Sequence, residues 1–172
     1  PINGILGMSE LLLHTDLKEE QIEYVRALRQ SASSLHGIVS DILDLSKIES
    51  GKTELSIEDF DCRQLLDDLK KGFVCLARVK GLTFSVDIDG TLPQALKGDL
   101  GKINQVLMNL LSNAFKFTSK GSVFLNVACH NETSDVVRIR FEVRDTGVGI
   151  PKDSQGRLFS PFFQTNTSSL GK

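Results

Sequence analysis

No stretch of this 172-residue sequence approaches the roughly 20 consecutive apolar residues that a membrane helix requires, so a spanning segment within it is excluded. The first residues lack the basic start and the small-residue cleavage site of a secretory signal. Cysteine is scarce and scattered. Cys62, Cys75 and Cys129 are odd in number and far apart, which suits neither a disulfide framework nor a zinc site and points to a reducing, cytoplasmic setting. Neither sign of charge dominates: the net charge is −2 with Lys and Arg dispersed, leaving no basic stripe for nucleic acid. There is no internal repeat and no low-complexity segment. What remains is 40% hydrophobic and 24% charged, the balance of a globular chain, long enough for one ordinary domain plus an appended helical element. The abrupt start at Pro1 and stop at Lys172 read as a piece of a longer protein, with any membrane anchor outside it and no direct membrane contact by this piece.

Ile2, Ile5, Leu6, Leu12 and Leu13 suit a short helix, which Gly4 and Gly7 weaken by up to about 1 kcal/mol each. His14-Thr15-Asp16 breaks that pattern, and Asp16 followed by Glu19 resembles a capping box opening a second helix. Val25, Leu28, Ala32, Leu35, Val39 and Ile42 then step by three and four in alternation, the seam of a helix that packs on other helices. A helix from Leu17 to Ser50 would be roughly 50 Å long, more than the short helix before it can cover. The expectation is a helical hairpin over 1–51 that forms a homodimeric four-helix bundle, the alternative being a long helix laid on the following domain.

From residue 52 onward the period changes. Leu55, Ile57 and Phe60 suggest a strand, Leu65, Leu66, Leu69, Phe73 and Ala77 fall on a helical face, and Leu82, Phe84, Val86 and Ile88 alternate as a strand. Asp99 to Thr118 reads as a helix. Val123, Leu125 and Val127, then Val137, Ile139, Phe141 and Val143, alternate again. The order β-α-β-α-β-β predicts an α+β domain over 52–172, a mixed sheet with helices on one face.

On the helix around Asn109, the residues Gln105, Asn109, Asn113 and Lys116 form one polar stripe against Ile103, Val106, Leu107, Leu110, Leu111 and Ala114. Amides beside a lysine can offer a neutral oxygen to a hard cation and a positive charge to a phosphate, and magnesium bound with a triphosphate takes only one or two protein ligands. A solvated helix face accounts for the stripe equally well. Asp145-Thr146-Gly147-Val148-Gly149-Ile150-Pro151 follows an alternating strand directly. Its glycines let backbone approach a flat ring or a phosphate, and its carboxylate can accept from an exocyclic amino group. A tight turn explains the same composition.

Asp99 to Thr118 resembles the asparagine box of sensor histidine kinases, Asp145 to Pro151 their first glycine box, and Leu158-Phe159-Ser160-Pro161-Phe162-Phe163-Gln164 their phenylalanine box. Pro1 to Ile5 is similar to the stretch after the family's H-E-x-R-T-P motif, and Leu43 to Gly51 to the end of its second dimerisation helix. The matches span the chain in the family's order. The resemblance implies a dimerising hairpin before a Bergerat-type α/β sandwich that binds ATP and Mg2+, with Asn113 as the magnesium ligand and Asn109 its helper. It places Lys116 on the phosphates, Phe117 beside the adenine, Asp145 on the adenine amino group with Gly147, Gly149 and Ile150 lining that pocket, and Phe159, Phe162 and Phe163 anchoring a lid.

The family's phosphoacceptor histidine is expected just before Pro1, and its second glycine box after Lys172. His14 and His36 lack the acceptor's motif, so no catalytic residue is assigned within the chain. The implied activity is transfer of the γ-phosphoryl group of ATP to a histidine and then to an aspartate of a response-regulator receiver domain, fused or separate, the motif wording favouring the hybrid subgroup. Three alternatives stand beside it. Related ATPases of the gyrase and heat-shock group share the helix and the glycine turn, but lack a hairpin and use a helix glutamate where Gln105 stands here. A dimeric aspartic protease would use Asp145-Thr146-Gly147 twice. A degenerate kinase would serve as a dimeric scaffold, although Asn113, Lys116 and Asp145 are intact.

Overall fold

The computed structural model describes residues 1–52, 54–131, 133, 136–158, 160 and 163. The chain divides into two units, Pro1–Leu55 and Ser56–Lys172. Among the described residues no helix is long and apolar enough to cross a membrane.

The first unit is a hairpin of α1 (Ile2–Leu13) and α2 (Glu19–Glu49). An ion pair between Glu10 and Arg29 links the helices, and Ser9 and Ala32 are buried between them. The 31 residues of α2 span about 46 Å against about 18 Å for the 12 of α1, so α1 covers less than half of its partner. Leu28, Leu35, Val39 and Ile42 of the predicted seam are exposed in the single chain, Leu35 at 51%. The capping pair differs from the predicted one. Because α2 opens at Glu19, its third residue is Gln21, whose Oε1 accepts from Lys18 N at 2.9 Å, and Asp16 lies outside the cap.

The second unit contains β1 (Glu58–Asp61), α3 (Cys62–Lys80), β2 (Thr83–Ile88), β3 (Ala95–Gly98), α4 (Leu100–Phe117), β4 (Ser122–Asn131), β5 (Val137–Asp145) and the short α5 (Lys152–Gln155). β4 is central in a mixed sheet, parallel to β2 with Phe84 opposite Val123 and antiparallel to β5 with Leu125 opposite Val143. Alternation divides β4 cleanly. Val123, Leu125, Val127 and Cys129 are buried, while Phe124 and Asn126 are exposed on the other face. The buried face receives Leu66, Leu69, Phe73 and Ala77 of α3 and Leu107, Leu111, Ala114 and Phe115 of α4. Phe73, Phe84 and Phe115 lock the layers together, with ring centroids 5.1 to 6.1 Å apart. The helices therefore lie on one face, as the order of elements implied.

Two details depart from the sequence reading. The first strand begins at Glu58, leaving Leu55 and Ile57 exposed, because its partner β3 supplies only four residues. β3 itself was not anticipated, and β1 and β3 form a separate antiparallel pair.

Candidate nucleotide-binding site

α4 opens at Asp99, whose carboxylate accepts from Lys102 N at 2.8 Å and Ser56 N at 3.0 Å. These N–H groups, Lys102 first, hold the Asp99 carboxyl below the usual carboxylate range. The cap sets the helix phase. Leu107, Leu111, Ala114 and Phe115 face the sheet, and the opposite side presents Asn109, Asn113 and Lys116 to solvent, with Gln105 half-buried. Gln105 Oε1 accepts from Lys102 Nζ at 3.4 Å. Lys116 Nζ stands 5.2 Å from the ring centroid of the half-buried Phe117.

The Asp145 turn is fastened to the end of α4 and to the start of β4 through main chain. Val148 N donates to the Phe117 carbonyl at 3.4 Å, and Thr146 N to the Ser122 carbonyl at 3.1 Å. A Cβ on Gly147 would lie 2.4 Å from that Phe117 oxygen, so only glycine permits this approach. The sequence left the glycine to a ligand or to a tight turn; the close approach of the Phe117 carbonyl is a further demand for it, made by the chain's own helix. Asp145 Oδ1 accepts from Gly147 N at 2.8 Å, and its exposed carboxylate retains Oδ2, which accepts no hydrogen bond among the described residues. Gly149 adopts φ 69°, and beyond it Ile150 is exposed.

Asn109, Asn113, Lys116 and Phe117 thus share one helix, and the Asp145–Ile150 turn abuts that helix's last residue. Phe159 and Phe162 of the expected lid lie outside the described residues. Phe163 is half-buried with the Arg157 guanidinium 4.6 Å from its ring centroid. A groove of about 1000 Å³ between β1, α3 and the first half of α4 contains none of these residues.

Two residues that fasten the site, and one buried polar group beside it, escaped the sequence reading. Thr146 Oγ1 accepts from Ser122 N at 2.9 Å. Lys80 Nζ donates to the Phe115 carbonyl at 2.8 Å. The Thr118 hydroxyl is buried with no partner among the described residues. Each depends on segments distant in sequence or on burial, neither of which periodicity reveals.

This mixed sheet, layered on one face by two helices with one ending against a glycine-rich aspartate turn, falls by its sequence in an ATPase family. Residues 98–172 match the family model described as histidine kinase-, DNA gyrase B- and HSP90-like ATPase. Residues 1–51 match the His Kinase A (phospho-acceptor) domain. The chain belongs to the sensor histidine kinases, and within them to the catalytic core, with hybrid kinases among its relatives. It is 40% identical over 167 residues to the sensory/regulatory protein RpfC of Xanthomonas campestris, covering 96% of this chain and 23% of that protein. It is 37% identical over 164 residues to hybrid signal transduction histidine kinase L of Dictyostelium discoideum, covering 95% of this chain and 10% of that protein. Among solved structures it is similar to full-length ShkA in complex with AMPPNP, with a TM-score of 0.76, 36% identity, and coverage of 95% of this chain and 34% of that one. The chain therefore spans about a quarter or less of the curated relatives it matches.

Proposed function

We propose that this chain binds ATP with Mg2+ and directs the γ-phosphoryl group onto a histidine nitrogen, from which it passes to an aspartate of a response-regulator receiver domain. The observation that carries the proposal is the clamp between the last residue of α4 and the Asp145 turn. It sets an exposed carboxamide-and-ammonium stripe and an exposed carboxylate on adjoining elements.

In this reading Asp145 Oδ2 accepts from the adenine amino group, and Gly147, Gly149 and Ile150 border the ring with Phe117 and Phe159. Lys116 swings from Phe117 onto the phosphates. Asn113 offers its carboxamide oxygen to magnesium, with Asn109 one turn earlier assisting. The donor set suits that ion. Among the described residues no group of three His, Cys, Asp or Glu could hold a metal alone, and magnesium accompanying a triphosphate needs only one or two protein ligands. Bound there, the metal neutralises charge on the triphosphate, and Lys116 adds a fixed positive charge beside it.

In this reading the dimerisation hairpin is 1–51 and the ATP-binding domain 52–172, a few residues before the break between the two compact units at Leu55. The exposed seam of α2 is the surface on which a second copy closes a four-helix bundle, since one α1 cannot cover it. The receiver domain is fused or separate, hybrid relatives favouring fusion, and the nucleotide-binding half works in the cytoplasm, where ATP is. The gyrase-type alternative is disfavoured by the phospho-acceptor domain at residues 1–51.

Asn113→Ala tests the site: magnesium-dependent affinity for a non-hydrolysable ATP analogue disappears while the melting curve stays put. Unchanged affinity would refute the ligand assignment.

A further inference from the structure

The end of α4 is where Lys116 and Phe117 emerge, and helix ends are the parts of a helix least held by their own hydrogen bonds. The carbonyls of Phe115, Lys116 and Phe117 have no partner within α4, which stops at Phe117. The Phe117 carbonyl is taken by Val148 N in the aspartate turn. The Phe115 carbonyl is taken by Lys80 Nζ at 2.8 Å, from the last residue of α3, 35 positions earlier in the sequence. Phe115 is 1% exposed, so without that donor its carbonyl would face an apolar interior with little water to replace it. The ammonium also stands where it opposes the negative end of the α4 dipole.

We propose that Lys80 is a positioning residue of the nucleotide site, which it does not itself touch. It holds the last turn of α4 so that Lys116 and Phe117 project at a fixed angle and the Phe117 carbonyl stays in register with the Asp145 turn. The proposal rests on the nucleotide reading of α4. Lysine suits the position because its flexible stem crosses from one helix end to the other and its charge strengthens a bond to a neutral carbonyl.

The experiment compares Lys80→Met, Lys80→Arg and Asn113→Ala in the full chain. Binding of a non-hydrolysable ATP analogue with magnesium is titrated, and amide hydrogen exchange is read at Val148 and along α3 and β4. Lys80→Met is expected to weaken the analogue about tenfold, the ratio that follows if the ordered last turn of α4 is populated about a tenth of the time without its clamp. Exchange should quicken at Val148 ahead of the β4 amides, and Lys80→Arg should restore most of both. If Lys80→Met does not fold, Lys80→Gln, which keeps a neutral donor, carries the same comparison. Parent-like affinity and Val148 exchange in the Lys80 variant would overturn the proposal, as would a uniform rise in exchange with affinity intact. If Asn113→Ala also binds like the parent, the nucleotide reading itself falls.

Discussion

Replacing Gly147 with alanine would place a Cβ 2.4 Å from the carbonyl oxygen of Phe117 and 2.9 Å from its carbonyl carbon. Both neighbours are main chain at the end of a packed helix, so neither can step aside as a side chain would. The turn must back away, weakening the bond from Val148 N to the same oxygen. Overpacking of this kind costs about 1–3 kcal/mol. For a unit of this size that corresponds to a fall in melting temperature of roughly 4–12 °C. Two neighbouring glycines calibrate the result. Gly149 has open space around it but φ 69°, so Gly149→Ala meets backbone strain alone, about 1 kcal/mol. Gly156 has φ −67° and open space, so Gly156→Ala is neutral or stabilises by up to about 1 kcal/mol. Thermal and urea unfolding of the three variants should rank them Gly147, Gly149, Gly156 from least to most stable. Nucleotide affinity should fall most in Gly147→Ala. If Gly147→Ala unfolds within about 0.5 kcal/mol of the parent, inside the range of ordinary surface substitutions, the close approach of turn to helix does not exist in solution.

Leu35→Lys, in the middle of the exposed seam, should convert a dimer to a monomer in sedimentation at tens of micromolar; a parent that is already monomeric rejects the bundle. Leu111 is fully buried between α4 and the sheet, and Leu111→Ala should cost about 2–5 kcal/mol by denaturant unfolding. The folded carboxyls of Asp61, Asp89 and Asp99 titrate below their ordinary values. The causes are N–H donation from Gln64 to Asp61, the Thr91 hydroxyl and N–H on Asp89, and Lys102 N–H on Asp99. Their stabilisation is complete above the unfolded value near 3.9 and is lost as pH falls through the depressed folded values. Stability from these groups should therefore be flat from pH 7 to about 5 and decline below, and Asp99→Asn should shallow the acid limb.

Both long helices and the alternating strands were legible because burial on one side imposes a period, and periods survive in sequence. The Asn109–Lys116 stripe followed from the same signal, whereas the cap at Asp99 emerged only with the structure. β3 was not legible: four residues, Ala95 to Gly98, are too few to display alternation, and their pairing with β1 depends on a chain reversal through α3 and β2. The capping box moved to Lys18 and Gln21 because two adjacent glutamates and a glutamine offer overlapping choices, and only the starting phase of α2 decides among them. The glycine turn was recognised, yet the requirement at Gly147 came from Phe117, 30 positions away, and the expected role of Phe159 falls outside the described residues.

The join between α4 and the aspartate turn is made of backbone, while Asn109, Asn113 and Lys116 stand outward and contribute little to it. Shape and chemistry are thereby separable in this domain. On the proposed reading of the site, a lineage can exchange those outward residues, silencing phosphoryl transfer or retuning its rate, without disturbing the architecture that carries them. Descendants that have lost catalysis yet keep an intact silhouette are the expected by-product of building a site this way.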